Sequence, residues 1–217
     1  MKNRIGCILI CVASLTLSAS PVSAQLSEQK WNPRNWIKKD STQEKTFEDE
    51  KNTPIGGKPG EEIKTFMLSQ AHKMKKINGA TVSTMRNGEI LKVALPSSFL
   101  FQPNDTSLVS KPEPVLGPVL VLMREGMTNL VITGHSDNTG SPRYLENLTE
   151  KRAAAVYKWY LNNGISEKYM SFFGYGDTQP LFENDSMQNR NANRRITLYL
   201  IPNEEMLKKA KRKKLNK

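Results

Sequence analysis

Residues 130–161 read LVITGHSDNTGSPRYLENLTEKRAAAVYKWYL, and this stretch constrains the fold more than any other. Leu130 to Ile132 form an apolar run with enough β-branching for a buried strand. Gly134 to Gly140 follow as a turn-forming cluster. Ser141-Pro142 is an N-cap with proline at the first helical position, so a helix begins there. On a helical wheel Leu145, Leu148, Arg152, Val156 and Trp159 share one face, with Ala155 and Tyr160 at its edges. Arg152 therefore stands in the middle of an apolar stripe. Burying a lone guanidinium costs roughly several kcal/mol, so this one must be paired or look into a cleft. The nearest acid is Asp137, held at the strand's end by the turn. A strand–loop–helix carrying an Asp137/Arg152 pair is the predicted functional centre.

The same residues resemble the signature of OmpA-like peptidoglycan-binding domains. The matching text is GHSDNTGS (134–141), Tyr144 and LTEKRAAAV (148–156). Downstream come NGI (163–165), FGYGDTQP (173–180) and RNANRRI (190–196), in the family's order and spacing from about Phe99 to Leu200. The resemblance implies an α/β (α+β) two-layer sandwich, βαβαββ with a mixed sheet. It also implies a ligand, the diaminopimelate of the peptidoglycan stem peptide, held by Asp137 and Arg152. Leu148 lies within the matching block and joins the expected site. The family's Asn-Arg-Arg lies near the ligand loop, which makes Arg195 a further candidate. Leu145 stands where the family usually has Asn, so one polar contact is missing, whereas Ser136 and Thr149 keep a hydroxyl.

Chemistry supports the pair independently of the resemblance. The free end of diaminopimelate carries an ammonium and a carboxylate on one carbon. A carboxylate accepts from the ammonium, and a guanidinium grips the carboxylate through parallel hydrogen bonds. Backbone N–H groups of Asn138, Thr139 and Gly140, with the helix N-terminus behind them, could receive another carboxylate oxygen. The competing reading is an Asp137–Arg152 salt bridge that only locks strand to helix.

The flanking chain divides by composition. Residues 1–24 read as a secretory signal: Lys2 and Arg4, an apolar stretch from Ile5 to Leu17, and a cleavage site at Val22-Ser23-Ala24. Neither Cys7 nor Cys11 sits in a lipobox, and both would leave with the signal, so no cysteine metal site or disulfide is expected. The expected location is the periplasm, at the cell wall or outer membrane. Residues 25–60 read as a polar linker in which Trp31 and Trp36 either pack on the domain or dock an envelope partner. Ile63, Phe66, Met67, Gln70 or Ala71, Met74 and Ile77 predict an amphipathic helix over 61–77. Asn87-Gly88 predicts a β-hairpin leading into the domain, so 61–98 is a helix plus hairpin and 99–202 the domain proper. Phe99 and Phe101 read as packing residues, and 102–106 as one wall of the cleft. Pro118 must begin or kink the helical stripe Val115–Met123. Ile196, Leu198 and Leu200 alternate as a closing strand, and the lysine-rich residues 203–217 read as a solvated, disordered tail.

The formal charge of +11 suggests attraction to anionic polymers or lipid headgroups. An exported cell-wall hydrolase would need a nucleophile and base. His135 is the central element's only histidine, and as an alternating strand residue it points away from Ser136 and Asp137. Nucleic-acid binding lacks interleaved basic and aromatic residues on a sheet face. The expected function is therefore a non-catalytic, cofactor-free and metal-free tether between peptidoglycan and an envelope complex.

Overall fold

Asn87-Gly88 does turn a hairpin, between β1 (Thr81–Met85) and β2 (Ile90–Pro96). The computed structural model of the chain describes Phe47, residues 51–213 and Leu215. In it, Met85 pairs with Ile90, so the loop spans 86–89 and is longer than the tight two-residue turn of an Asn-Gly hairpin. Arg86 and Asn87 take positive φ, 50° and 54°, a conformation uncommon outside glycine. Buried Glu89 steadies the turn: its carboxylate accepts from Arg86 Nε at 2.8 Å and from the backbone N–H groups of Ile55 and Gly56 at 2.9 and 3.0 Å.

The predicted first helix is present as α1 (Gly57–Met74), starting four residues early, and every residue of the predicted stripe is buried. α2 (Glu113–Met123) carries Pro118 in its interior; the helix begins at Glu113, not at the proline. β3 (Thr128–His135), α3 (Pro142–Asn162), β4 (Met170–Gly174), α4 (Met187–Asn193), β5 (Arg195–Pro202) and α5 (Glu204–Lys211) follow. The sheet order is β1-β2-β5-β3-β4, with only β3–β4 parallel. From β2 onward the elements run βαβαββ with α4 inserted, the mixed-sheet sandwich expected. The hairpin is no appendage, because β2 is the opening strand. The segment around Phe99 is instead a short 3-10 turn followed by a single bridge, Phe101 to Leu108.

Helix α3 lies unusually close to the sheet. Gly134 and Gly174 are register partners, and a Cβ on either would stand 2.3 Å from a backbone atom of α3, Thr149 O or Glu150 N. Close approach favours small side chains, so the buried face centres on Thr149, Ala153, Val156 and Tyr160. Leu148 and Trp159, placed by periodicity on the core stripe, are half-buried.

The opposite sheet face is also covered. Phe47 stacks on Phe173 and meets Tyr199 edge-on, with ring centroids 6.2 and 5.1 Å away, beside buried Ile90, Val131 and Ile201. The expected polar linker 25–60 is thus corrected at its C-terminal end: Phe47 is core, Glu89 clamps Ile55 and Gly56, and α1 begins at Gly57. The expected disordered tail is corrected too. Asn203 caps α5 through Glu205 and Met206 N–H, and Met206, Ala210 and Leu215 are buried. Amphipathicity marks this helix, since buried Met206 and Ala210 are one helical turn apart. The signal segment 1–24, Trp31 and Trp36 lie outside the described residues. Among the described residues no helix is long and apolar enough to cross a membrane.

Candidate functional site

At the end of β3 the chain leaves the sheet through Ser136, whose N–H donates to Gly176 O at 2.7 Å and whose hydroxyl donates to Asp137 O. Asp137 is buried, 3% exposed, yet charged chemistry surrounds it. One carboxylate oxygen accepts from Thr139 N at 2.9 Å, closing an Asx turn, and the other is paired with Arg194. Gly140 N–H donates to Asn138 O at 3.2 Å. The backbone donors of Thr139 and Gly140 are therefore turned into the loop itself, which corrects the expectation that they await a ligand. The turn's geometry fixes Asp137 instead.

Ser141 caps α3 by accepting from Tyr144 N. Three turns in, Arg152 reaches the loop before α2. Its Nε donates to Asp105 O at 2.8 Å and an NH2 group to Gln102 O at 3.2 Å, while the guanidinium lies 5.1 Å over the Phe101 ring. The predicted Asp137–Arg152 contact is replaced by two others: Asp137 with Arg194, and Arg152 with loop carbonyls. Burial pushes the Arg152 pKa down, opposed by Tyr144 and Asp105. Asp105 is itself held below the usual carboxylate range, chiefly by the backbone N–H groups of Ser107 and Thr106.

These groups line one cleft of about 750 Å³. Gln102, Pro103 and Asn104 form one wall, as predicted for 102–106, and Phe101, read as packing, forms its floor with Leu145 and Leu148. Thr139 and Tyr144 border it, and Arg190 and Arg194 close the far side. One carboxylate and three guanidinium groups converge there. A second cleft of the same volume lies between α1 and α5, but no buried charged group lines it, so the chemistry resides in the first.

Arg195 does not reach the cleft. As the first residue of β5 it faces the other side of the sheet, where its guanidinium donates to Asn193 O and Gln179 O. Its neighbour Arg194, not yet in the strand, points inward and reaches Asp137 and Asn191. Strand alternation separates the two arginines, and a one-residue error in where the strand starts exchanges them. Buried Asn193 positions this segment by accepting from Leu181 and Phe182 N–H and donating to Phe182 O and Asn184. His135 shares the far face with Arg195, its register partner. Burial, with the positive Arg195 and Lys92 beside it, lowers its pKa to about 2, so it is neutral at ordinary pH. Among the described residues no cluster of histidine, cysteine and carboxylates could hold a metal ion.

Three comparisons bear on this arrangement. The chain is 30% identical over 113 residues to the photosystem I P700 chlorophyll a apoprotein A2 of Gloeobacter violaceus, covering 49% of this chain and only 13% of that protein. It is 24% identical over 201 residues to outer membrane protein A of Bordetella avium, covering 92% of this chain and 97% of that one. The fold matches the cell wall anchor of the T6SS from Pseudomonas aeruginosa, with 22% identity, a TM-score of 0.55, and coverage of 63% and 97%. The OmpA family model matches residues 100–194, a span that runs from the Phe101 loop to Arg194 and so takes in the cleft.

Proposed function

We propose that the cleft binds the peptidoglycan stem peptide at the free end of diaminopimelate, and that the protein is a non-catalytic periplasmic tether between an envelope partner and the cell wall. The observation that carries this reading is the convergence of buried Asp137 with Arg152 and Arg194 on one cleft. A zwitterion needs both signs within a few ångströms, and charge-assisted hydrogen bonds to each are about twice as strong as neutral ones. The side chain of Arg194 is 36% exposed, free to swing aside while the ligand ammonium takes its place at Asp137. The released guanidinium, with Arg152 and Arg190, then faces the ligand carboxylates. The match of residues 100–194 to the OmpA family model supports this, as does the fold shared with a cell wall anchor.

Hydrolysis is not supported. His135 is buried on the far face of the sheet, neutral, and engaged through Nε2 with Thr133, while the Ser136 hydroxyl donates to a backbone carbonyl. Sedimentation with purified sacculi tests the proposal. Asp137→Ala should weaken binding by about 30- to 1000-fold, the loss of roughly 2–4 kcal/mol from one charge-assisted contact. Undiminished binding by the folded variant would exclude the cleft.

A further inference from the structure

The second concentration of charge lies at the end of the sheet away from the cleft. The cleft gathers where β2 ends, β3 ends and β5 begins, at Pro96, Ser136 and Arg194. From Arg195, β5 runs eight residues to Pro202, roughly 25 Å at about 3.3 Å per residue, before α5 starts. Asn203 anchors that helix, its N–H donating to Met127 O at 3.1 Å and its side-chain amide to Gly126 O at 3.0 Å. Met206 and Ala210 are buried on the inner side of α5, which leaves Lys208, Lys209, Lys211, Arg212 and Lys213 exposed. Lys208 is paired with Glu205 at 2.8 Å. Among the described residues no ion pair engages Lys209, Lys211, Arg212 or Lys213. Exposed Arg124 and Lys168, just ahead of β3 and β4, stand at the same end of the sheet.

We propose that this basic end docks on an anionic phospholipid membrane surface while the opposite end holds its ligand. Cations about 25 Å from the cleft are beyond the ~8 Å reach of charge in physiological salt, so they do not strengthen the grip on a ligand there. They serve a separate partner. The adjoining groove between α1 and α5, bordered by Glu61, Glu62, Lys211 and Lys213, carries both signs and no buried polar side chain that would orient a shaped ligand. Exposed cations along the outer side and C-terminal end of α5, past the acidic first turn at Glu204 and Glu205, suit an extended field of anionic headgroups. Because the apolar side of α5 is turned into the protein, attachment is electrostatic and involves no insertion.

The inference rests on the wall-binding reading only for what occupies the other end. Co-sedimentation of the full chain with phosphatidylglycerol–phosphatidylethanolamine vesicles, against phosphatidylcholine vesicles and sacculi, tests it. The combined variant Lys209→Gln, Lys211→Gln, Arg212→Gln, Lys213→Gln should bind the anionic vesicles roughly ten- to hundredfold more weakly, keep its melting temperature and bind sacculi as before. Arg194→Ala should show the reverse, with vesicle binding intact. Equal wild-type binding to both vesicle types, or full anionic-vesicle binding by the quadruple variant, overturns the membrane surface. If that variant instead loses sacculus binding, wall polymer is the partner and the proposal is also overturned.

Discussion

Arg152 and Arg194 line the same cleft and are held in opposite ways. Arg152 is 6% exposed, bonded to two backbone carbonyls and laid on an aromatic ring. Arg194 has about a third of its side chain in solvent, and its guanidinium meets side chains: Asp137, Asn191 and the Met187 sulfur. The first is part of the architecture, because without it the 102–105 loop loses its attachment to α3. The second is held through side-chain contacts, one of them to a carboxylate that a ligand cation would claim under the proposed function. One cleft thus combines a fixed cation with a movable one, and measured effects of mutation should divide along that line.

Arg152→Ala should do the most damage. It leaves the Gln102 and Asp105 carbonyls without a partner and removes the cation over Phe101, a loss of roughly 2–4 kcal/mol of stability together with wall binding. Thermal unfolding and sacculus sedimentation on one sample measure both, and an unchanged melting temperature would refute the architectural role. Arg194→Ala should cost binding about 10- to 100-fold, roughly 1.4–2.7 kcal/mol, while stability moves by less than about 1 kcal/mol because the pair is partly exposed. Equal stability losses in the two variants would erase the contrast.

The far face offers a control with its own signature. His135, with a folded-state pKa of about 2, binds a proton in the unfolded chain but not in the native one between that value and its ordinary 6.5. Stability should therefore rise with pH across this window and fall by about 1.4 kcal/mol for each unit of acidification below 6.5. Denaturant midpoints at pH 6.5 and 5.5 check this, and His135→Gln should flatten the slope without changing sacculus binding. The smallest effect belongs to Arg195→Gln. Its guanidinium lies behind the sheet, so wall affinity should change less than about twofold, and a larger loss would mean that the strand orientation misassigns the two neighbouring arginines.

Strand and helix periodicity made most of the fold legible: the sheet strands, the Ser141-Pro142 cap and the buried stripe of α1 all follow local rules. That Asp137 and Arg152 line a cleft was legible as well, one from its turn and the other from standing in an apolar stripe. Their partners were not. Which carbonyls receive Arg152 depends on a loop about 50 residues away, and which arginine reaches Asp137 depends on the residue at which β5 begins. On α3 the predicted stripe holds at Leu145, Arg152 and Val156. Gly134 and Gly174 draw the helix in, so that Thr149 and Ala153 are buried as well while Leu148 and Trp159 are only half-buried, a contact that no single helix's periodicity encodes. Lysine density concealed α5, where only two residues of each turn need be apolar to hold a short helix against α1.

The clamp by which Glu89 holds Ile55 and Gly56 has a mechanical consequence. Chain preceding Gly56 is fastened to the hairpin end of β2, whereas Asp137 and Arg194 lie at the opposite end of the adjoining strands. Tension applied between that leading segment and a ligand in the cleft runs lengthwise along β2 and β5. The six register pairs joining those strands are then loaded together in shear instead of being peeled apart one by one. Such a sheet resists a steady pull best along the line on which a tether would strain it.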